Sequence, residues 1–521
     1  MKYRYSNLDK KNLDWFLRDM TRGTLVTIQL RRGSIRGIKN LDLSFQYPIS
    51  VIAGANGAGK STVLALAACA YHNVVKGFRL PGRRASYYTM SDFFVQSSEE
   101  VSPEGINIWY EFLHNNWRKS LSFPDGIGRA WQSRTKKKGG KWSNYSSRVK
   151  RNVVFFGIER VVPHSERSVS KSYRLYFERG EAAGFEEKVK DFVSRILGKR
   201  YDSFWFREHS KYRLAHVKSK GALYSGFNMG AGENALFEIF STIYSAPEGL
   251  LIVADEIELG LHDSAQRGLI EELKKVCRDR HIQVICTTHS RSILESVPPE
   301  GRFFIESHGS STEVIPGISP AYAAGRLAEQ NTQELDIFVE DGIAQQVVQA
   351  LLPTQIRRRV NILPIGSAAA IVRQLAARYK TRDKGECIAL LDGDQRTLAK
   401  SRQQYFLQNL ESEEDRDNKI KWFEGRIGYL PGDSWPERWI FTQLNELDLL
   451  LLANNFRIDE EELHVVCERA ITSGKHNEFH SMAEALFLPP PEVCSTVCRC
   501  LLAQIPDQFE DLINIVSSYL D

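Results

Sequence analysis

Gly54-Ala55-Asn56-Gly57-Ala58-Gly59-Lys60-Ser61 is the stretch that decides the fold of this chain. It fits the phosphate-loop pattern G-x-x-x-x-G-K-[ST] at every position. Residues 48–53 before it predict a short buried strand, and residues 62–68 after it have the composition of a helix. A strand, a glycine-rich loop and a helix in this order predict an α/β fold that binds a nucleoside triphosphate.

The residue types of the loop suit phosphate groups and a divalent cation. Glycines allow backbone N–H groups to turn towards phosphate oxygens, and the N-terminus of the following helix adds the positive end of a dipole. Lys60 can reach the β- and γ-phosphates, and the hydroxyl of Ser61 can ligate Mg²⁺. The predicted ATP-binding residues of the loop are Asn56, Gly57, Ala58, Gly59, Lys60, Ser61 and Thr62.

Length and composition limit the classes of protein to which the chain can belong. Its 521 residues predict about two to four domains. Its contents of 42% hydrophobic and 26% charged residues are those of an ordinary globular protein. Because the net charge is only +5, any electrostatic attraction to nucleic acid must come from local basic patches. The sequence shows no signal-peptide core and no apolar run of about 18 residues. We therefore expect a soluble, cytoplasmic protein with eight reduced cysteines and no membrane partner, rather than a transporter with its own membrane part.

A second informative block follows in the middle of the chain. Residues 250–256 predict an apolar strand that ends in Asp255 and Glu256. Asp255 is placed to hold Mg²⁺ through water, and Glu256 to polarise the water that attacks the γ-phosphate. Residues 281–290 predict another strand with His289 at its end. A lone histidine there is more often structural, but behind a phosphate loop and an acidic pair we predict that His289 senses the γ-phosphate.

Taken together, these motifs resemble the ATPase heads of ABC-type proteins. The motifs that carry the resemblance are Gly54 to Ser61, Asp255-Glu256, Gly260-Leu261-His262 and Thr288-His289-Ser290. The matching branch includes the SMC-like proteins and the OLD (overcoming lysogenization defect) proteins, and the resemblance covers about residues 20 to 310. It implies a homodimer or a larger assembly in which the heads meet.

In that branch a glycine-rich signature contacts the nucleotide on the other subunit. Met229-Gly230-Ala231-Gly232-Glu233 stands at the corresponding place, so the resemblance implies that Gly230, Gly232 and Glu233 contact ATP. Gly230 stands where serine is usual, which removes one hydroxyl contact to the γ-phosphate. The contact between subunits would then depend on backbone N–H groups and on Glu233. Gln96 is the candidate for the glutamine that the family couples to Mg²⁺.

Residues 129–151 form a basic segment without an acidic residue. Its nine basic residues are Arg129, Arg134, Lys136, Lys137, Lys138, Lys141, Arg148, Lys150 and Arg151. Trp131, Trp142 and Tyr145 are interleaved with them, and such a mixture suits phosphate contacts and base stacking. One interpretation is a hairpin that binds nucleic acid through Lys136, Lys137, Lys138 and Lys141. The other is a solvated hairpin, and the sequence favours neither.

A second α/β unit follows a linker over residues 311–330. A predicted strand over 335–340 ends in Glu340, and another over 387–391 leads into Asp392-Gly393-Asp394. Alternating strands and helices imply a parallel sheet, in which these acids stand at the carboxyl ends of strands, where the sites of such sheets lie. Three such carboxylates can hold one or two hard divalent cations, which stabilise the attacking and leaving oxygens in phosphodiester cleavage.

Together with Gly366-Ser367, these acids resemble a Toprim domain, the metal-dependent fold of topoisomerases, primases and OLD nucleases. The resemblance implies that Glu340, Asp392 and Asp394 are catalytic and bind Mg²⁺ or Mn²⁺. One departure is Ala344, which stands where many Toprim nucleases place a second acid. A second metal would then need another ligand, for which the candidates are Asp341, Asp433 and Glu437.

The sequence therefore predicts several parts. The first part is an ATPase head over 1–310, which contains a basic insertion over 129–151 and a helical insertion around 181–220. It is followed by a linker over 311–330, a Toprim nuclease domain over 331–440 and a helical region over 441–521. In the helical region, Cys494, Cys498 and Cys500 with His476 and His480 have the residue types of a zinc site. Their spacings match no standard finger, so we expect buried, reduced cysteines instead.

An ABC-type head fused to a Toprim domain resembles the OLD-family nucleases, which include effectors of antiphage systems such as Gabija and some retrons. The resemblance implies an ATP-regulated, Mg²⁺-dependent endonuclease that cuts DNA in antiphage defence. The partner in such systems is a helicase, or a reverse transcriptase with its DNA–RNA product. Two alternatives stay open: a Toprim effector that cleaves tRNA, and a DNA-binding SMC-like clamp whose Toprim domain is inactive, as Ala344 suggests.

Overall fold

A computed structural model describes the chain from residue 3 to residue 520 with gaps. The residues in the gaps are 73, 75–76, 81–82, 84, 98, 101–103, 138–141, 143–146, 163–171, 210–211, 308–310, 328–332, 382–385 and 411–414. The chain divides into two compact units, residues 3–331 and residues 332–521. This corrects the linker predicted over 311–330, because Thr312–Pro316 is a strand and Pro320–Leu327 a helix of the first unit, whose apolar residues Ile315 and Tyr322 are buried in its core. No helix in the described part is both long and apolar enough to cross a membrane.

The first unit contains one mostly parallel sheet and two antiparallel sheets. Its strands are β1 (Thr24–Arg32), β2 (Asp42–Ser44), β3 (Ile49–Gly54), β4 (Ile106–His114), β5 (Gly128–Lys136), β6 (Val153–Phe156), β7 (Glu178–Arg179), β8 (Ser203–His209), β9 (Tyr212–Ser219), β10 (Ala222–Ser225), β11 (Leu251–Ala254), β12 (Gln283–Thr287), β13 (Arg302–Ser307) and β14 (Thr312–Pro316). Its α-helices are Asn7–Phe16, Lys60–Ala68, Met90–Phe93, Glu186–Leu197, Ala231–Ser245, Asp263–Arg280, Arg291–Glu295 and Pro320–Leu327. Short 3₁₀ turns lie at Met20–Arg22, Ile158–Val161 and Pro299–Gly301.

The main sheet has the order β14-β13-β3-β12-β11-β6 and is parallel except for β14. Strands β3, β11 and β12 are buried along their whole length, as their uninterrupted apolar runs predict for strands covered on both faces. Helix Lys60–Ala68 follows β3 through the phosphate loop and buries every residue except Ser61. Because β12 lies between β3 and β11, the phosphate loop and the acidic pair stand at the same edge of the sheet.

The two antiparallel sheets have the orders β2-β1-β4-β5 and β10-β9-β8-β7. The second sheet corrects the helical insertion predicted around 181–220. Only Glu186–Leu197 is helical there, and β8 pairs antiparallel with β9. Aromatic side chains explain the difference, since they favour strands, and the ring of Phe204 stacks on Phe237 with centroids 4.4 Å apart.

The basic segment over 129–151 is not solvated as a whole. Arg134, Arg148 and Arg151 are each no more than 4% exposed. The guanidinium of Arg151 donates a hydrogen bond of 2.7 Å to the carbonyl oxygen of Gly249. These arginines therefore stabilise the interior of the unit and cannot meet a nucleic acid at its surface.

The lysines predicted to bind nucleic acid are only partly described. Lys136 is the last residue of β5 and is half-buried, and Lys137 is exposed. Lys138 and Lys141 lie outside the described residues. Their contact with nucleic acid stays a prediction.

The second unit contains the predicted parallel sheet. Its strands are β15 (Leu335–Val339), β16 (Val360–Pro364), β17 (Glu386–Leu391) and β18 (Ile427–Tyr429), in the order β16-β15-β17-β18 with every pair parallel. Its α-helices are Gly342–Leu351, Thr354–Arg357, Ala368–Thr381, Ala399–Leu410, Arg416–Glu424, Pro436–Leu444, Leu450–Phe456, Glu460–Thr472, Glu478–Leu486, Pro490–Gln504 and Glu510–Tyr519. Short 3₁₀ turns lie at Gly393–Leu398 and Pro506–Phe509.

The helices at the end of the chain pack on the same core as this sheet. Apolar side chains of β15, of helix Gly342–Leu351 and of helix Pro490–Gln504 form one buried cluster. The predicted nuclease domain over 331–440 and the helical region over 441–521 thus share a hydrophobic core. All eight cysteines of the chain are buried and free, including those considered for zinc.

Candidate functional site

Two glycines of the phosphate loop stand where a side chain cannot fit. Gly54 has a φ of 155° and Gly59 a φ of 97°, in the region that favours glycine. A Cβ atom on Gly54 would lie 2.5 Å from the carbonyl oxygen of Ile305, and one on Gly59 would lie 2.5 Å from the Ile38 side chain. Without side chains at these two positions, the backbone N–H groups of the loop are open to the close approach of phosphate oxygens.

The side chain of Lys60 folds back onto the phosphate loop and forms hydrogen bonds with its backbone. Its helix begins after Gly59 without a side-chain cap, so the first N–H groups have no side-chain acceptor. The Lys60 ammonium donates to the carbonyl oxygens of Gly54 at 2.8 Å and Ala55 at 3.1 Å. Burial lowers the pKa of Lys60, and the negative charge of Glu256 opposes this change. A bound phosphate would give the ammonium a charged partner in place of the two carbonyl groups.

Ser61 and Asp255 meet at the end of the acidic strand. Ser61 Oγ donates to Asp255 Oδ2 at 3.0 Å, and Thr287 Oγ1 donates to Asp255 Oδ1 at 2.6 Å. A hydroxyl and a carboxylate beside a phosphate loop are hard oxygen donors of the kind that Mg²⁺ prefers. Gln96, the other residue predicted at this cation, is exposed after helix Met90–Phe93, and the described residues show no hydrogen bond from it to Ser61 or Asp255.

Glu256 has an unusual backbone conformation that two side chains hold in place. Its φ of 45° is uncommon for a residue other than glycine. The Glu256 N–H donates to Thr287 Oγ1 at 2.7 Å, and Arg160 donates to the carbonyl oxygens of Glu256 at 2.6 Å and Asp255 at 2.7 Å. Arg160 is 4% exposed, and burial lowers the pKa of its guanidinium. Neither Arg160 nor Thr287 was predicted from the sequence, although both hold the backbone of the predicted catalytic residue Glu256.

We predict that Arg160→Lys slows ATP hydrolysis and leaves ATP affinity nearly unchanged. Lysine keeps the charge but lacks the planar fork that reaches two carbonyl groups at once. The misplaced carboxylate of Glu256 should cost roughly 10- to 100-fold in kcat. Arg278→Lys is the control, because the Arg278 side chain is 40% exposed and pairs with Asp279. A loss of ATP affinity as large as the loss of kcat would contradict the positioning role.

A third acid, Glu258, fixes the loop that carries His289. Glu258 accepts hydrogen bonds from the Thr288 hydroxyl at 2.7 Å and from the backbone N–H of His289 at 2.6 Å. The His289 side chain is exposed and lines an open groove of about 600 Å³ together with Glu258, Gln266 and Arg267. The predicted γ-phosphate sensor is thus held by its backbone while its ring stays accessible. Glu258 was not singled out from the sequence, although it follows the acidic pair by two residues.

The glycine-rich signature packs against the loop that follows the acidic pair. Gly230 is the N-cap residue of helix Ala231–Ser245. A Cβ atom on Gly232 would lie 2.1 Å from the carbonyl oxygen of Gly260, and one on Gly260, whose φ is 78°, would lie 2.7 Å from the backbone nitrogen of Gly232. The start of the signature helix and the loop after Glu256 are therefore in direct backbone contact within one chain.

The carboxylate of Glu233 forms hydrogen bonds with residues of its own unit. Its Oε1 accepts hydrogen bonds from the hydroxyls of Tyr201 and Tyr224 and from the ammonium of Lys199. Burial alone would raise the pKa of Glu233, but these three donors outweigh it and lower the pKa. The carboxylate is charged and oriented by its neighbours. Contact with ATP on another subunit stays a prediction for Gly230, Gly232 and Glu233.

In the second unit, two predicted catalytic acids meet at the carboxyl edge of the sheet. Glu340 follows β15 and Asp392 follows β17, which are neighbouring strands. Glu340 Oε1 accepts a hydrogen bond from the N–H of Asp392 at 3.1 Å, and Oε2 accepts one from the N–H of Ala368 at 3.0 Å. Asp392 is 7% exposed, and its Oδ1 is buried with no hydrogen-bond partner among the described residues. A buried carboxylate oxygen without a donor fits a bound cation.

Several carboxylates surround Asp392. Burial raises the pKa of Asp392 to about 8, and the negative charges of Glu340, Asp341, Asp394 and Glu437 add to the effect. Burial also raises the pKa of Glu340. Like charges in such a site repel one another, and a divalent cation would remove that cost.

Of the three candidates for a further metal ligand, Glu437 has the most suitable surroundings. It is 1% exposed, with Oε1 3.2 Å from His476 Nδ1 and Oε2 without a partner in the described residues. Asp341 instead caps the following helix by accepting a hydrogen bond from the N–H of Ala344 at 2.8 Å, and Asp433 is exposed. Across the described parts of the chain, no three His, Cys, Asp or Glu side chains are grouped closely enough to hold a metal ion as they stand.

We predict that, without divalent cations, the chain loses stability as the pH rises from about 4 to about 8. The pKa of Asp392 is 3.8 when unperturbed and about 8 in the fold, so the folded chain binds this proton more tightly. The stabilisation is complete below the unfolded pKa and falls by up to about 1.4 kcal/mol per pH unit towards the folded pKa. The free energy of unfolding, measured in urea at several pH values between about 4 and about 8, tests this prediction.

Asp392→Asn is the matched variant for this measurement. The amide cannot titrate, so the pH dependence should flatten. Mg²⁺ should raise the unfolding midpoint at pH 8 more in the wild type than in the variant. An equal pH dependence in both proteins would contradict the assignment to Asp392.

Comparison with known proteins bears on the first unit. The family model described as "AAA domain, putative AbiEii toxin, Type IV TA system" matches residues 169–295, a range that contains the signature, the acidic strand and His289. The phosphate loop at Gly54 to Ser61 supplies the remaining part of a nucleotide site. The first unit therefore contains an ATPase domain. Such a domain binds ATP together with Mg²⁺. No curated protein matched the chain.

Several solved structures similar to the chain are SMC heads. The SMC head domain from Thermotoga maritima is 15% identical, with a TM-score of 0.34, and covers 56% of this chain and 98% of its own. An Smc head bound to the C-winged helix domain of ScpA is 15% identical, with a TM-score of 0.36 and coverage of 56% and 97%. An Smc head domain with an extended coiled coil, bound to the C-terminal domain of ScpA derived from Pyrococcus furiosus, is 14% identical, with a TM-score of 0.36 and coverage of 58% and 98%. The assignment of the head rests on its motifs and on the family match.

Proposed function

We propose that the chain is an ATP-regulated endonuclease whose second unit is a Toprim-type nuclease dependent on Mg²⁺ or Mn²⁺. The observation that carries the proposal is the buried, unpartnered Oδ1 of Asp392, next to Glu340 at the carboxyl edge of a parallel sheet. A carboxylate kept there among other acids is typical of a metal-dependent site rather than of a structural one.

The described residues orient the acids of this site. Those that would hold the cation are Glu340, Asp392, Asp394 and Glu437. The cation, when bound, would stabilise negative charge on the phosphodiester oxygens as the bond breaks. Two backbone N–H groups align Glu340. Asp394 Oδ1 accepts a hydrogen bond from Gln395 at 2.9 Å, and Gln395 in turn accepts one from Arg402. Such contacts reduce the movement of the carboxylates before substrate binds.

Under the same proposal, ATP in the head controls the nuclease. Glu256 would polarise the attacking water, and His289 would contact the γ-phosphate. Gly230, Gly232 and Glu233 would complete the site from a second copy in a homodimer or larger assembly. DNA as the substrate, antiphage defence as the role, and a helicase or a reverse transcriptase with its DNA–RNA product as the partner rest on the resemblance to OLD-family nucleases.

A DNA-binding clamp with an inactive second unit is the second candidate function. Ala344 favours it, because this buried residue occupies the position where many Toprim nucleases carry another acid. The absence of a preassembled metal site among the described residues favours it as well. A tRNA-cleaving effector would use the same acids as the proposed endonuclease and would differ from it only in substrate.

The experiment that tests the proposal is a cleavage assay with the full chain. The substrates are supercoiled plasmid, linear duplex, single-stranded DNA and total tRNA, each with Mg²⁺ or Mn²⁺ and with or without ATP. We expect cleavage of DNA that EDTA abolishes. Cleavage of tRNA alone would select the RNA-cutting effector. ATP hydrolysis without cleavage of any substrate would select the clamp.

A further inference from the structure

One face of the β2-β1-β4-β5 sheet carries two tryptophans where a solvated sheet face usually carries polar residues. Trp109 on β4 and Trp131 on β5 lie on the same face, because Trp109 pairs with Ser133 and Trp131 pairs with Glu111. Their ring centroids are 6.5 Å apart. Trp131 is 36% exposed and Trp109 is half-buried. Residues of the opposite face of β4 are buried in the core of the head.

Arg31 on β1 completes this surface. The centre of its guanidinium lies 4.4 Å from the ring centroid of Trp109 and 5.3 Å from that of Trp131. Its Nε donates a hydrogen bond of 2.8 Å to Gln29 Oε1, while its two terminal nitrogens have no hydrogen-bond or ion-pair partner in the described part of the chain. We call Arg31, Trp109 and Trp131 the aromatic platform.

The charges around the aromatic platform suit an anion. Glu111 and Asp42 stand on the same face, but each is already engaged. Arg129 forms a bidentate ion pair with Glu111 at 2.6 and 2.8 Å, and Asp42 accepts a hydrogen bond from a neighbouring glutamine. Arg32, next to Arg31, is exposed and adds a second positive charge at the end of β1. A phosphate group could therefore meet Arg31 without first displacing a protein carboxylate.

We propose that the aromatic platform binds unpaired bases of a single-stranded nucleic acid, with Arg31 contacting an adjacent phosphate. Every base has a flat face that stacks on an indole ring or a guanidinium group, whereas the bases of a duplex are already stacked on one another. An acidic protein would use the arginine but would gain little from two indoles side by side. The inference rests on the proposed function, because it takes nucleic acid as the substrate class.

Binding measurements with the full chain in EDTA, where no cleavage occurs, test the inference. The probes are a labelled oligothymidylate, the corresponding oligouridylate and a duplex of equal length. Trp131→Ala and Arg31→Ala should each weaken single-strand binding about 10-fold and duplex binding less than about twofold. Trp131→Phe keeps an aromatic ring and should retain most of the affinity, which separates loss of stacking from misfolding.

The other antiparallel sheet offers a matched control. Arg179 lies 5.3 Å from the ring centroid of Trp205, so Trp205→Ala and Arg179→Ala remove the same kind of pair from a different surface. These variants should bind single strands like the wild type. Equal losses in both sets of variants, or no loss in the platform variants, would overturn the inference. Displacement of the probe by polyglutamate as readily as by unlabelled single strands would indicate an acidic protein partner and would also overturn it.

The results distinguish failure of the aromatic-platform proposal from failure of the endonuclease proposal. If the wild type cleaves DNA and the platform variants bind single strands normally, the platform is rejected and the endonuclease stands. If the wild type binds single strands through the platform and cleaves no substrate, the endonuclease is rejected and the platform stands. A wild type that does not bind single strands rejects the platform whatever it cleaves.

Discussion

Asp392→Ala is expected to abolish metal-dependent cleavage while ATP hydrolysis stays near the wild-type rate. Asp392 carries the buried carboxylate oxygen without a partner in the described residues, so the substitution removes a proposed cation ligand that alanine cannot replace. Cleavage should fall by roughly 1,000-fold or more, because charge on the breaking phosphodiester loses its main stabilisation. ATP hydrolysis should persist, because Ser61 and Asp255 stand at a separate site in the head.

Both activities should be measured on the same purified proteins. Asp417→Ala is the matched control, since it removes an exposed acid from the same unit that has no predicted part in the metal site, and it should cleave like the wild type. Glu340→Ala should behave like Asp392→Ala. Retained cleavage in Asp392→Ala would reject the nuclease assignment. Loss of both activities together with a lower unfolding temperature would show a folding defect, and Asp392→Asn would then replace the alanine variant.

Glu256→Gln is expected to bind ATP like the wild type and to hydrolyse it 100-fold or more slowly, within the range of about 10²- to 10⁴-fold typical of general acid–base catalysis. Glutamine has nearly the same shape, and the contacts of Arg160 and Thr287 with the backbone of residue 256 do not involve the side chain. What the variant loses is the carboxylate that we predict to polarise the attacking water. Single-turnover hydrolysis and equilibrium binding of labelled ATP separate the two effects.

Two further variants define the limits of that result. Lys60→Ala should lose ATP binding itself, because the charge at the β- and γ-phosphates disappears. Glu248→Gln changes an exposed glutamate that pairs with Arg22 and should leave both binding and hydrolysis unchanged. Hydrolysis at the wild-type rate by Glu256→Gln would show that Glu256 does not have the role assigned to it.

Features that are local in the sequence could be predicted from the residues alone. The phosphate loop, the strand before Asp255 and the strand before Asp392 each combine an apolar run with an adjacent functional residue. Position along the chain was therefore enough to place them at strand ends. The parallel sheets followed from the alternation of strands and helices.

Contacts between distant residues could not be predicted in this way. Arg160 meets Glu256 across 96 positions of the chain, and nothing in the composition around it sets it apart. The basic segment over 129–151 gave no sign that Arg151 turns inward to a carbonyl group, because a charge pattern does not show which side chains are buried. The hairpin of β8 and β9 was missed because Phe204, Trp205 and Phe206 are consecutive and do not alternate with polar residues as a half-buried strand does.

The backbone contact between Gly232 and Gly260 has a mechanical consequence. With no side chain between them, the start of helix Ala231–Ser245 and the loop after the acidic pair approach each other backbone to backbone. A side chain at either position would meet the opposite backbone and force the helix and the loop apart. Because that loop begins next to Glu256, neither glycine can be enlarged without a displacement beside the acidic pair.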